Sequence, residues 1–242
     1  MGLLSAGAGK KTQITTYSGL QVQSTSTSLP VPIVYGQNVI TPNIIDYVDF
    51  RKVASGGGKG GGKGGHSSSS ASQSYTYYAT VIMALCEGPI NGVNRVWTGT
   101  VSPTYLGQLG LGLTAGNLSQ APWSYMSSRW SARALAYNGT AYVYAVNYSL
   151  GASASVGNNS MEVAGLLYGT GFNGVDADPA QVLYDFLTNI NYGCGFPTAS
   201  IDWNSIFGYS GDGSYQTYCW AAGIAISPAL VSQESASSIV AR

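Results

Sequence analysis

Residues 55–74 read SGGGKGGGKGGHSSSSASQS, with eight glycines, seven serines, two lysines, the only histidine and no apolar side chain larger than alanine. A segment of this kind cannot build a core. It separates two β-like stretches, 39–50 and 75–86, so it reads as the long tip of a hairpin rather than as a linker between domains. A structureless loop of ~20 residues inside a compact domain is generally functional or disordered. Its own side chains cannot offset an ordering cost of ~1–2 kcal/mol per residue. The feature therefore points to a partner rather than to a substrate.

The rest of the first third is rich in β-branched and aromatic residues. Segments 12–17, 20–25 and 31–35 read as strands, with Pro30 and Pro32 placing the third at a sheet edge or strand start. The unbroken apolar run 79–86 is the strongest strand signal and predicts burial on both faces. Residues 87–92 carry turn chemistry and lead to a strand at 93–98. Residues 101–116 read as an irregular arm, and 132–137 as a short helix or a strand. After Asn138-Gly139, tyrosines and valines at alternate positions predict a strand over 140–148, and another follows at 161–168.

The last third changes character. Asp178, Pro179 and Gln181 form a helix-start pattern in which the aspartate caps, proline occupies the first position and glutamine closes a capping box. Val182, Leu183, Phe186, Leu187 and Ile190 then make one apolar face, and Gly193 is placed to end the helix. Further helices are expected over 214–223 and from about 232. The fold class is thus a β-rich α+β chain: antiparallel β domains with a long hairpin loop and a small C-terminal helical segment. The domains divide into 1–174, carrying the 55–74 loop, and 175–242, which reads as the start of a further domain in a longer chain.

Composition narrows the function. The chain of 242 residues is 45% hydrophobic, enough for a real core, but only 8% charged, against an ordinary ~25%. With 18 tyrosines and 33 glycines, it suits surfaces that other subunits cover. Net charge is zero but unevenly spread. Up to His66 six cations stand against two acids, and beyond it four cations stand against eight. The basic candidates for partner contact are Lys59, Lys63, Arg51 and Lys52. A solvated loop is the plainer reading of that charge. Contact with an acidic neighbour or nucleic acid is the sharper one.

Catalytic patterns fail one by one. His66 lies where nothing fixes its geometry, so no Ser or Cys triad is expected. Asp176 and Asp178 are accounted for by the helix start, while Glu87 and Glu162 lie beside or within strands without a recognisable glycosidase context. The glycine and lysine run approaches a phosphate loop, yet Gly64 stands where Ser or Thr must reach magnesium, and a strand rather than a helix follows. Cys86, Cys194 and Cys219 show neither zinc spacing nor a disulfide framework and read as buried free thiols. Alternate tyrosines such as Tyr75, Tyr77, Tyr78, Tyr142, Tyr144 and Tyr148 read as cross-strand pairs rather than a stacking platform for bases or sugars. No apolar run approaches the ~18 residues that span a bilayer, and residues 1–4 are too short an apolar start for a signal peptide. No catalytic, metal or cofactor residues are assigned.

Several strings, taken in order, carry a resemblance. They are Leu29-Pro30-Val31-Pro32-Ile33-Val34-Tyr35-Gly36, Ile82-Met83-Ala84-Leu85-Cys86-Glu87-Gly88-Pro89-Ile90 and Gln120-Ala121-Pro122-Trp123, then Tyr137-Asn138-Gly139-Thr140-Ala141-Tyr142-Val143 and Asn147-Tyr148-Ser149-Leu150-Gly151. Asp178-Pro179-Ala180, Leu187-Thr188-Asn189 and Tyr192-Gly193-Cys194-Gly195-Phe196-Pro197 complete the set. In this order the chain resembles, over 29–228, the N-terminal region of the baseplate hub or central tail-tip proteins of long-tailed bacteriophages. That class includes the lambda host-specificity protein and relatives in gene transfer agents.

The resemblance implies a homotrimer closing the distal tail tube in the virion, assembled in the host bacterial cytoplasm. It also implies contacts with the distal tail ring, the tape measure protein and other tip subunits, transient contact with phage DNA in the channel, and no small-molecule substrate or cofactor. Members of this class continue into further hub and receptor-contacting domains, so receptor recognition is not assigned to these residues. The alternatives are a peptidoglycan-degrading tail hydrolase and a carbohydrate- or receptor-binding tail module.

Overall fold

The apolar run 79–86 forms the middle of a 14-residue strand, and every residue in it is buried. In the computed structural model, residues 18, 20, 29–55, 74–99, 102–157, 159–208 and 213–241 are described. The expected strands at 12–17 and 20–25 lie outside these, apart from Leu20, which is buried in the main core.

Strands β1 (Ile33–Val34), β2 (Gln37–Ile40), β3 (Asn43–Ser55), β4 (Ser74–Glu87) and β5 (Gly92–Thr98) come first. β6 (Gly112–Thr114), helix α1 (Ser124–Arg129), β7 (Thr140–Gly151) and β8 (Asn159–Ala164) follow. The C-terminal part holds α2 (Pro179–Thr188), α3 (Trp203–Ile206), α4 (Tyr215–Ala221), β9 (Ala229–Leu230) and α5 (Ala236–Val240). The strands form a four-stranded sheet β3-β4-β7-β6, a three-stranded sheet β2-β8-β5 and the pair β1-β9. Every pairing between these strands is antiparallel. The β-rich α+β class read from sequence is the observed one.

Alternation along β4 explains its two buried faces. Tyr77, Ala79, Val81, Met83 and Leu85 join Val143 of β7 and Val96, Met161 and Val163 of the smaller sheet in one core, because residues two apart share a face. Fully burying side chains such as Met83, Leu85 and Met161 stabilises by about 1.5–3 kcal/mol each. Ile82 points the other way, into a second cluster with Val48, Tyr142 and Met126 of α1. Helix α1 was not expected from the sequence. Six residues carry little helical periodicity, and it is held by Met126 and by Trp123, whose ring lies 4.5 Å from that of Tyr144.

Three local expectations are corrected. β8 stops at Ala164 rather than at 168. Gly165 there donates to the Gly36 carbonyl at 2.7 Å, and a Cβ at Gly165 would collide with the Val34 carbonyl. Helix α2 ends at Thr188 and is capped by Asn189, not Gly193, while Ile190 lies beyond the helix at 85% exposure. Gly193 serves a close approach instead: a Cβ there would meet the Phe186 carbonyl, which accepts from the Cys194 amide at 2.8 Å.

The expected box with Gln181 gives way to tertiary partners. Asp178, fully buried, accepts from the Ala180 amide at 2.9 Å, and its other oxygen accepts from Gln216 Nε2 at 2.5 Å and Trp220 Nε1 at 3.2 Å. Helix α4 lies within the expected 214–223, behind a Ser214 cap, and α5 begins at Ala236 after a Ser235 cap, a few residues later than expected.

The C-terminal part returns to the first strand of the described chain. β9 pairs with β1 through Ile33 with Leu230 and Val34 with Ala229, and Tyr35 donates its hydroxyl to Asp185 Oδ2 at 2.7 Å across 150 residues.

Candidate functional site

β3 and β4 form the hairpin that the glycine, serine and lysine run implies, paired out to Ser55 with Ser74. The tip itself, with Lys59, Lys63 and His66, lies outside the described residues. Halfway along, the register between β3 and β4 shifts between Val48 and Arg51, and that between β4 and β7 shifts between Ala79 and Val81. These irregularities flank the same stretch of β4, and the residues within them include Asp49 and Asn147, both with left-handed φ of 54° and 53°. Asp49 is held by the Tyr125 hydroxyl at 2.8 Å. Bulges bend a strand and increase its twist, so the outer hairpin is re-aimed relative to the sheet.

Arg51 and Lys52 stand just beyond the bend, both exposed. The Arg51 guanidinium lies 4.7 Å from the centre of the Tyr78 ring directly across the ladder, and Lys52 Nζ lies 5.2 Å from that of Tyr75 on the diagonal. As neighbours in one strand they serve opposite faces, so the arm presents a cation on an aromatic ring to each side. Such contacts are worth ~0.5–1 kcal/mol when exposed and keep the cation available. The described chain resumes beyond the glycine run as strand β4 from Ser74, whereas a phosphate loop leads into a helix N-terminus.

Most acids are occupied. Glu162 receives both Arg95 Nε at 2.8 Å and Nη2 at 2.7 Å, and Asp46 pairs with Arg133. Asp176 accepts from Ser227 and Asn173, and Asp202 caps α3. Asp185 accepts both Tyr35 and Tyr192 hydroxyls, at 2.7 and 2.8 Å on the same oxygen. Burial first, and then the Asp185 carboxylate, push both phenols well above the ordinary tyrosine range. The sequence reasoning missed this junction. Tyr35 and Asp185 are too far apart in the chain for any local pattern to link them.

Glu87 is different. Among the described residues its carboxylate has no hydrogen-bond or ion-pair partner, and burial raises its pKa. It lines a cavity of about 690 Å³ with Leu29, Val31, Ile33, Tyr192 and Cys194. Across Phe186, Leu230 and Ile239, which line both spaces, is a second cavity of about 790 Å³ that Tyr35 and Val182 also line. Cys86 and Cys219 are buried thiols as expected, and burial pushes that of Cys86 up to about 12, whereas Cys194 is only half-buried. Of the tyrosines read as cross-strand pairs, Tyr77 of β4 stacks on Phe50 of β3 at 5.8 Å, whereas Tyr142 and Tyr144, 6.0 Å apart, are neighbours on one face of β7.

Half of the exposed large apolar groups among the described residues fall in the C-terminal part, beyond residue 174. Phe196, Trp203, Tyr218, Trp220 and Val231 are all exposed. The rings of Trp203 and Phe207 lie tilted with centres 4.3 Å apart and Tyr184 meets both edge-on, which holds the three together as an aromatic patch. Charge is sparse around it: residues 190–231 hold only Asp202 and Asp212.

No family model matches the chain, and no curated protein does. Among solved structures it is similar to a chain of the virion of a native gene transfer agent particle, with 22% sequence identity and a TM-score of 0.44 over 79% of this chain and 40% of that one. It thus spans less than half the length of that neighbour.

Proposed function

We propose that the chain is a structural component of a phage-type virion, the baseplate hub or tail-tip protein that closes the distal tail tube, anchors other tip proteins and gates DNA release on adsorption. It works as a homotrimer against the distal tail ring, the tape measure protein and other tip subunits, by packing rather than by chemistry. The observation that carries this reading is the exposed aromatic patch around Trp203 in a stretch almost free of charge. Exposed apolar patches of that kind mark surfaces that a partner covers. The ordered strings that resemble those of tail-tip hubs support the same reading. Several of them fall on the central strand β4, on β7 and on the start of α2, within the framework of the fold.

Cryo-electron microscopy of purified particles carrying a tagged copy tests it. Three copies around a channel at the distal end are expected. Absence of the chain from the particles overturns the reading. Glu87, unpaired and with a raised pKa beside a cavity, keeps the tail hydrolase as the second reading. Zymography on peptidoglycan separates the two: clearing that is lost in Glu87→Gln or Glu162→Gln establishes the enzyme.

A further inference from the structure

Unpaired charges of opposite sign lie at opposite ends of the β3–β4 hairpin. At the inner end is Glu87, alone among the described acids in lacking a side-chain partner, facing a cavity of about 690 Å³ that a second acid, Glu234, lines with Asn191, Ser232 and Gln233, the remaining walls being mainly apolar. At the outer end Arg51 and Lys52 have no carboxylate partner among the described residues, and the chain continues through Lys59 and Lys63 in a run of glycines. A carboxylate held in a partly apolar cavity is disfavoured in its charged form, and a cation brought beside it removes that cost. The aliphatic stem of a lysine suits the apolar walls, with its ammonium at Glu87. Glycines on both sides of Lys59 and Lys63 leave a backbone slender enough to follow the side chain in.

The same molecule cannot make this contact. Ser74 and Glu87 are thirteen residues apart on one strand, ~40 Å at ~3.3 Å per residue. Lys63, eight residues past Ser55, extends at most ~29 Å from the end of the ladder at ~3.6 Å per residue. Arg51 pairs with Tyr78, nine residues from Glu87, or ~30 Å, several times the length of its side chain.

We infer that the Glu87 cavity receives the basic hairpin tip of a second copy of this chain. The contact joins two different surfaces, so it is head-to-tail, and repetition closes a ring or grows a filament according to the rotation between copies. It rests on the proposed hub trimer for the number of copies alone. The excess of positive charge before His66 and of negative charge after it becomes the steering field of this self-association. The half-buried Cys194 thiol, on the cavity wall with Glu87, is placed to report it.

The test uses the full chain in solution. Lys63→Cys, oxidised by copper phenanthroline in air, is expected to give cross-linked dimers and higher multiples on non-reducing gels. These should disappear in Lys63→Cys with Cys194→Ser, and should form about tenfold more slowly with Glu87→Gln added or in 1 M salt, where charges are screened within ~3 Å. A monomer carrying an internal disulfide, cross-links that survive Cys194→Ser, or a rate indifferent to both Glu87→Gln and salt would each overturn the inference. Sedimentation velocity on Lys59→Glu with Lys63→Glu supplies a second arm whose changes leave the hairpin ladder untouched; an unchanged oligomer there also counts against it. Failure in these arms leaves the tail-tip reading standing, because that reading is decided in particles.

Discussion

Asp178 shows how one residue was half legible. Its place before Pro179 marked a helix start, and the cap on the Ala180 amide is there. The rest of its role, accepting from Gln216 and Trp220, lies 38 and 42 residues further along and follows no local rule. Asp178→Ala removes the cap and both tertiary bonds, for which ~1 kcal/mol for the cap and ~1–3 kcal/mol for charge-assisted bonds give a loss of about 2–4 kcal/mol. Chemical denaturation of the purified chain measures it. Asp178→Asn should recover part of the loss, because its amide oxygen still caps. Glu87 was visible only as a carboxylate beside a strand; its lack of a partner and its cavity depend on residues 29–33 and 192–194 arriving from elsewhere.

At the scale of elements, β4, β5 and β7 were predicted close to their observed bounds because alternation and β-branched content extend over whole strands. Helix α1, six residues held by Met126 and Trp123, was not, since so short a helix draws its stability from tertiary packing. The hairpin was implied by its flanks, and its bend was not. Bulges at Asp49 and Asn147 arise where β3 and β7 fit one strand from both sides. The ladder beyond the bend runs on in register from Arg51 with Tyr78 to Ser55 with Ser74. Deleting residues 56–72 is therefore expected to leave the melting temperature of the isolated chain unchanged within a few degrees while impairing tail completion or DNA release. Normal infectious particles from the deletion would remove any role for the tip.

For the whole molecule, the division at about residue 175 is a proposal that a truncation checks. Residues 1–174 alone lose β9 from β1, the Asp185 acceptor of the buried Tyr35 hydroxyl, and the cover that Val182 gives to Leu166. An uncovered apolar cluster and an unpaired hydroxyl predict a lower melting temperature and dye binding relative to the full chain, by circular dichroism and fluorescence. Equal stability would show that the two parts fold independently.

The amino-acid order by itself determined the β-rich class, the hairpin and the helical character of the C-terminal part, because periodicity and turn chemistry act over a few neighbouring residues. Only the tertiary structure decided that Tyr35 meets Asp185, that Glu87 faces a cavity unpaired, and that β1 finds its partner nearly two hundred residues later. Those pairings depend on how the sheets stack and where close-approach glycines such as Gly165 let backbones touch, and such long-range packing leaves no signature in any local window of sequence.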